Sequence, residues 1–287
     1  MRLEVVHRTL YSYAAPVRDS FNELRVRPVT DARQECESSL LRVFPPVRLR
    51  HYVDLHGNHV AFFDLNEPHA RLEIECRSQV RTLTPEPVAG PGFPLARASE
   101  CVKLESCHEY LQPSRYVDQT PEAWRLALDA VAGEEDLWLA ACRLSSKVHA
   151  ELAYVPGATS VKTRASEALE KRRGVCQDFA HVMLAMCRAL GIPARYVSGY
   201  LYNGPRELLR GAQASHAWCE VYVPRAGWRG LDPTNDQPAG ERYVTVAVGR
   251  DYDDVAPVQG RYRGTTDLRL DVTVDVQCLA EREPGKA

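Results

Sequence analysis

Three residues of the chain could together cleave an amide bond: Cys176, His216 and Asp232. In such a triad a cysteine thiolate attacks a carbonyl carbon and an imidazole transfers protons. An acceptor on the second imidazole nitrogen holds the ring in place. Taken singly, each residue has an ordinary explanation, as a buried cysteine, a core or surface histidine, and a turn aspartate. The prediction of a catalytic triad therefore depends on the local context of all three.

The sequence around Cys176 favours a reactive thiolate. The segment CQDFAHVMLAMCRALG repeats apolar residues at helical spacing from Phe179 to Leu190 and is followed by Gly191, which predicts a helix that begins at Cys176. Free backbone N–H groups at a helix N-terminus stabilise an anion, either the thiolate or a developing oxyanion. The basic residues 171–173 precede the thiol and could add to this effect.

His216 and Asp232 lie in strand-like segments. His216 begins HAWCEVYV, and Asp232 lies near the end of GWRGLDPTN. Two neighbouring antiparallel strands would bring the imidazole and the carboxylate side by side, opposite the start of the Cys176 helix.

Three further residues are weaker candidates for the cleft or its support: Asp178, Tyr200 and Trp218. Asp178 lies in the first helical turn, where a carboxylate also stabilises the helix dipole. Tyr200 could line the cleft or simply pack, as aromatic strand residues usually do. Trp218 lies two residues beyond His216 and shares its face of the strand, where it could shield the imidazole or belong to the core.

The order of the predicted elements is β-rich, then helical, then β-rich. Strand-like segments at short intervals predict an N-terminal β-sandwich over residues 1–90. A Pro/Gly-rich stretch at 84–94 separates it from an α+β catalytic domain over 91–287, in which a helix carrying the nucleophile packs on an antiparallel sheet. The final strand-like run, 268–280, could join either sheet.

Composition is typical of a globular protein, with 45% hydrophobic and 26% charged residues among 287. The net charge of −2 offers no strongly basic face, so neither nucleic acid nor a membrane is expected as a partner. Because the N-terminus lacks an apolar signal-like stretch, we expect a cytoplasmic protein whose nine cysteines are reduced.

Metal ions and other cofactors are not expected. The loose clusters of Cys and His near Cys101 and near His56 lack the paired spacing of a zinc site. The acidic run 251–254 lacks the following bidentate glutamate of a calcium loop, and the chain contains no phosphate-binding glycine motif.

Separate blocks of the chain resemble the transglutaminase-like superfamily. The run GVCQDFAHVMLAMCRALGIPARYVSGY is similar to its cysteine helix, and SHAWCEVYVPRAGWRGLDPTN to its His and Asp strands, in the same order. The strands around YVDLHGNHVAFFDL and the tail GRDYDDVAPVQGRYRG resemble the bacterial branch, in which a β-rich region precedes the catalytic core. The resemblance implies a papain-like core with Cys176 as nucleophile, His216 as general base and acid, and Asp232 as the residue that orients the imidazole.

The resemblance also implies a thioester intermediate whose acyl group passes to water or to an amine. No sequence feature indicates an acceptor tunnel that would exclude water, so we predict a thiol-dependent peptidase or amidase acting on a peptide or isopeptide bond. A protein-glutamine acyl transferase and a non-catalytic peptide-binding scaffold remain alternatives. The expected partner is a peptide or protein substrate, and the N-terminal strands could bind it by strand addition or mediate a homo-oligomer.

Overall fold

The computed structural model describes residues 1–84, 92–204 and 215–279. The strands are β1 (Arg2–Leu24), β2 (Gln34–Phe44), β3 (Arg50–Val53), β4 (His59–Leu65), β5 (His69–Thr82), β6 (Ala153–Tyr154), β7 (Arg173–Gly174), β8 (Ala194–Leu201), β9 (His216–Val223), β10 (Gly227–Asp232), β11 (Gln237–Pro238), β12 (Tyr243–Gly249), β13 (Val258–Arg263) and β14 (Leu268–Cys278). The α-helices are α1 (Glu105–His108), α2 (Pro121–Ala130), α3 (Leu137–Glu151), α4 (Ala165–Lys171), α5 (Cys176–Ala189) and α6 (Tyr252–Val255), with 3-10 turns at Leu95–Lys103 and Glu109–Leu111. Most of the predicted linker at 84–94 lies outside the described residues.

The N-terminal region forms an antiparallel sheet in which β1 serves two groups of strands. The first part of β1 pairs with β5 and β14, and its last part pairs with β4 and β13. The pairing register with β5 shifts between Ser12 and Val17, close to the point where β1 changes partners. Buried side chains from both groups, among them Phe63 and Ile74, form one apolar cluster, as expected for a sandwich-like region.

The strand predicted at 268–280 joins the N-terminal sheet. As β14 it pairs with β1 from Leu3↔Cys278 to Tyr13↔Leu268 without a break in register. β13 also pairs with β1, so the chain returns to its first sheet after completing the second. The predicted domain boundary near residue 90 falls among the undescribed residues 85–91 and stays a prediction.

The second sheet has the order β11-β10-β9-β8-β12, and all its strand pairs are antiparallel. Helix α5 packs on this sheet and also against α2, α3 and α4. Every residue from Gln177 to Arg188 is therefore buried, although the sequence marks only one face of α5 as apolar. This confirms the predicted α+β core with the cysteine helix at its centre. Among the described helices, none is both long and apolar enough to span a bilayer.

Two side-chain amides from the N-terminal region bind the open edge of β12. The Gln34 amide donates to the Thr245 carbonyl and accepts from the Thr245 N–H, both at 2.8 Å. The Asn58 amide forms the same pair with Val248, again at 2.8 Å. Both amides are buried. Each forms, with one residue of β12, the two hydrogen bonds that a neighbouring strand would otherwise form.

A buried ion pair joins the same two regions. The Glu220 carboxylate of β9 is fully buried and contacts Arg33 at 2.5 Å and Arg195 at 2.6 Å. Burial alone raises the pKa of Glu220, but the two guanidinium groups outweigh it and hold the pKa below its usual range. Arg33 precedes β2, so the N-terminal region is fixed to the strand that begins with His216.

Replacing Gln34 with alanine should lower the free energy of unfolding by about 1–3 kcal/mol, because the buried Thr245 N–H would lose its partner, while the Thr245 carbonyl would keep only the Val29 N–H. Urea denaturation measures this change. Gln119→Ala, at an exposed position, is the control and should stay within about 0.5 kcal/mol of wild type. Equal stability of the two variants would show that the hydrogen bonds from the Gln34 side-chain amide to β12 contribute nothing to the free energy of unfolding.

Candidate active site

Cys176 is the first residue of α5 and the least buried part of its first turn. Its side chain is partly exposed, whereas the residues that follow are buried. The first N–H groups of a helix have no partner within the helix, so they remain free to bind an anion. The fold therefore places an accessible thiol at a position that stabilises negative charge.

Asp178 fixes the start of this helix. Its Oδ2 accepts from the Val175 backbone N–H at 2.7 Å and from the Thr159 hydroxyl at 2.6 Å. Burial raises the pKa of Asp178, and the two hydrogen bonds only partly oppose this. A Cβ at Gly174 would lie 2.5 Å from the same oxygen, so glycine is needed there. Asp178 thus supports the backbone next to Cys176.

His216 and Asp232 lie side by side at the same end of neighbouring strands. His216 begins β9, and Asp232 ends the antiparallel strand β10. The His216 Nε2 donates to Asp232 Oδ2 at 2.8 Å, and the exposed fractions of the two residues are 1% and 0%. A buried pair of this kind orients the imidazole and stabilises its protonated form.

Four further hydrogen bonds hold the Asp232 carboxylate. The backbone N–H groups of Thr234 and Asn235 donate to Oδ1 at 2.9 and 3.3 Å. The Asn235 amide and the Tyr243 hydroxyl donate to Oδ2 at 2.7 and 2.8 Å. Burial raises the pKa of Asp232, but His216 and these donors outweigh it and lower the pKa overall. The carboxylate therefore stays ionised although it is buried.

The second ring nitrogen of His216 is available for Cys176. Nδ1 is buried and forms no hydrogen bond of normal geometry within the described part of the chain. Burial lowers the pKa of the imidazole, but the Asp232 carboxylate and, more weakly, the Cys176 thiol raise it to about 10. His216 therefore carries a proton at neutral pH, as required for a group that protonates a leaving amine.

Trp218 shields the imidazole, whereas Tyr200 does not reach it. The Trp218 indole is buried and stacks on His216 with ring centroids 6.1 Å apart. A Cβ at Gly199 would lie 2.5 Å from this indole, so the neighbouring strand needs glycine there. Of the two roles considered for Tyr200, its contacts favour packing. Its hydroxyl lies 3.0 Å from Nδ1 of His7 in β1, because this part of β8 packs against the N-terminal sheet.

Sequence reasoning missed two residues that support Asp232. Tyr243 begins β12 and receives a hydrogen bond from the Gln237 amide at 2.7 Å while donating to Asp232. His149, in α3, donates from Nδ1 to the carbonyls of Pro233 and Thr234 at 3.2 and 3.1 Å. Neither residue lies in a motif, since RYVTVAVG predicts only a strand and His149 falls on an ordinary helix. Only the packing of β12 and α3 brings them to the site.

Comparisons with known proteins agree with this architecture. Family models match residues 125–233 as the transglutaminase-like superfamily and residues 3–81 as the bacterial transglutaminase-like N-terminal region. Uncharacterized protein ML0607 of Mycobacterium leprae is 38% identical over 284 residues, which cover 97% of this chain and 99% of that protein. The chain belongs to the transglutaminase-like superfamily.

Two other similar proteins match different shares of this chain. A crystal structure of a presumed cysteine protease of Cytophaga hutchinsonii has a TM-score of 0.77 and 23% identity, covering 99% of this chain and 92% of that one. It shows that the fold of the described residues, the N-terminal region included, is a known one. The protein-glutamine gamma-glutamyltransferase of Pseudomonas aeruginosa is 35% identical over 147 residues, 46% of this chain and 22% of that protein.

Replacing His216 with alanine should slow iodoacetamide labelling of Cys176 at neutral pH by at least about tenfold, because the thiolate loses its imidazolium partner. The raised pKa means that His216 keeps its proton through the neutral range. The advantage of wild type over the variant should therefore disappear as the pH rises through about 10. Mass spectrometry locates the label, and the exposed Cys278 is the internal reference. Equal labelling rates of Cys176 in both proteins would exclude an interaction between the Cys176 thiolate and the His216 imidazolium.

Tyr243→Phe should reduce the same labelling rate by about tenfold, the equivalent of about 1.4 kcal/mol, because Asp232 loses a buried donor. Tyr52→Phe removes a hydroxyl that donates to Glu23 at the surface of the N-terminal sheet, and it should have no effect. A Tyr243→Phe protein that labels at the wild-type rate would remove Tyr243 from the support of the triad.

Proposed function

We propose that the chain is a thiol-dependent hydrolase that cleaves a peptide or isopeptide amide through a thioester on Cys176. The observation that carries the proposal is the buried His216–Asp232 pair beside a thiol at a helix N-terminus. Among the described residues, the Nδ1 of His216 has no hydrogen bond of normal geometry, and the neighbouring Cys176 thiol helps to raise the pKa of the imidazole. Membership in the transglutaminase-like superfamily supports the same class of chemistry.

The acylation step uses each of these groups once. The Cys176 thiolate attacks the carbonyl carbon, and the carbonyl oxygen becomes an oxyanion that free N–H groups of α5 stabilise. The tetrahedral intermediate collapses as the C–N bond breaks and His216 gives its proton to the leaving amine. The products of this step are a thioester on Cys176, a free amine and a neutral imidazole beside the Asp232 carboxylate.

The deacylation step decides between hydrolysis and transfer. In hydrolysis, neutral His216 takes a proton from water, the resulting hydroxide attacks the thioester, and the carboxylic acid and the Cys176 thiolate are released. In transfer, an amine attacks in the same way and a new amide forms. Water is present at far higher concentration than any amine, so hydrolysis is the expected outcome unless the site excludes water.

Transfer to an amine is the second candidate function. It is favoured by the similarity to the protein of Pseudomonas aeruginosa named protein-glutamine gamma-glutamyltransferase, which spans 46% of this chain. The third candidate, a peptide-binding scaffold without catalysis, requires no buried charge beside the thiol. The five hydrogen bonds on Asp232 are therefore more than such a scaffold needs.

We also propose a reducing compartment, the cytoplasm, as the location of the protein. All nine cysteines lie in the described part of the chain, and they are free thiols. A reducing environment protects Cys176 as well as the partly exposed Cys36 and Cys142 from oxidation. Fractionation of cells, with recovery of the chain outside the cytosolic fraction as the contrary result, tests this location.

Peptides that contain glutamine or an isopeptide bond, incubated in heavy-oxygen water with and without a primary amine, distinguish the candidates. Hydrolysis places heavy oxygen in the acid product, and transfer gives an amine adduct. Cys176→Ala should abolish both products, and Asp232→Asn should lower turnover about a thousandfold or more through a misoriented imidazole. An adduct as the main product would favour the transferase. The absence of a thioester on Cys176 and of both products with every one of these peptides would exclude this substrate class.

A further inference from the structure

Most open sheet edges in the described part of the chain are protected. A bare edge presents unpaired N–H and C=O groups that can bind another strand, and proteins usually block it with short strands, bulges or covering groups. Here β3 and β11 have only four and two residues. Strand β2 is interrupted by a register shift between Cys36 and Ser38, and the amides of Gln34 and Asn58 cover β12.

Strand β14 lacks these protections. It has 11 residues, contains neither proline nor lysine, and pairs with β1 without any register shift. Among the described residues, no strand pairs with its other side. Leu270 and Val272 are 49% and 38% exposed along this edge. β14 is therefore a long, regular strand that is open on one side.

The two faces of β14 differ sharply in polarity. Apolar side chains occupy the even positions from Leu268 to Val276, and polar ones occupy the odd positions from Arg269 to Gln277. Val274 and Val276 pack on a cluster with Leu3 in the interior of the molecule. A strand added at this edge must therefore continue the same apolar face, or it would bury polar groups and expose apolar ones.

We propose that β14 pairs with β14 of a second copy of this chain, antiparallel about a two-fold axis at Val272. In this register Val272 faces Val272 of the second copy, and Leu270 faces Val274 of the second copy. Arg269 faces Asp275 of the second copy, and the symmetry repeats this ion pair. The two N-terminal sheets then form one continuous sheet with a continuous apolar face.

Charge excludes the neighbouring registers. Centring the axis on Asp271 places that carboxylate opposite itself, and centring it on Thr273 places Asp271 opposite Asp275 of the second copy, which is destabilising. An axis on Val274 gives Arg269 no acidic partner in the second copy, and it keeps only its contact with Asp271 of its own strand. An axis between two residues sets apolar positions against polar ones. An axis on Leu270 also sets Arg269 opposite an acidic residue, Asp271 of the second copy, but it joins only residues 268–272 of each strand. The Val272 register satisfies the charge pattern and the face pattern over the longer stretch 268–276.

Sedimentation equilibrium over a range of protein concentrations tests the dimer. The expected mass is twice the 32.2 kDa of one chain. Val272→Lys sets two ammonium groups against each other at the axis and should raise the dissociation constant at least about tenfold. Leu40→Lys, at an apolar position of the edge strand β2 that is 51% exposed against 38% for Val272, is the control and should leave the mass unchanged. Circular dichroism shows whether each variant is folded.

A charge exchange tests the register itself. Arg269→Asp and Asp275→Arg should each weaken the dimer, and the double variant should restore it because the opposite charges face each other again. A monomer at every soluble concentration would overturn the proposal. So would a dimer that resists Val272→Lys, a dimer that Leu40→Lys breaks, or a double variant that is weaker than both single ones.

Discussion

The interaction on which the site depends is the hydrogen bond between His216 and Asp232, formed where neither side chain reaches solvent. Removing two charged groups from water carries a large desolvation cost, and the pair alone would not necessarily offset it. Hydrogen bonds to the Asp232 carboxylate, donated from the turn after β10 and from the first residue of β12, offset the remaining desolvation cost. The local structure around Asp232 follows from this requirement.

This requirement links the second sheet, which carries His216 and Asp232, to the N-terminal region. Tyr243 can donate to Asp232 only while β12 keeps its place, and β12 is an edge strand whose backbone is bonded by Gln34 and Asn58. The Arg33–Glu220 ion pair fixes the same region to β9, the strand of His216. The N-terminal strands are thus part of the support of the site.

Much of the fold, and the placing of Cys176, His216 and Asp232 on their elements, could be predicted from local sequence. Helix α5 has apolar residues at helical spacing and is followed by a glycine that ends it. His216 and Asp232 lie on strands that are consecutive in the sequence and pair with each other. Tyr243 and His149 could not be predicted, because their roles depend on side chains meeting across elements that are distant in sequence. The role of Tyr200 stayed open because strand alternation gives its face but cannot tell whether the cleft or the first sheet covers it. The sheet joined by β14 was undecided for the same reason, since alternation does not name a partner strand.

The pairing of β1 with both β5 and β14 has a consequence for folding. On one side β1 pairs with β5, which lies within the first 82 residues. On the other side it pairs with β14, which is formed by residues 268–278. Contacts between such distant segments form slowly, because a loop that contains the helices and the second sheet must close first. During synthesis the first sheet therefore emerges with β1 unpaired on one side, and it is completed only after the cysteine helix and its sheet exist. The two regions are expected to reach their final form together, as one cooperative unit.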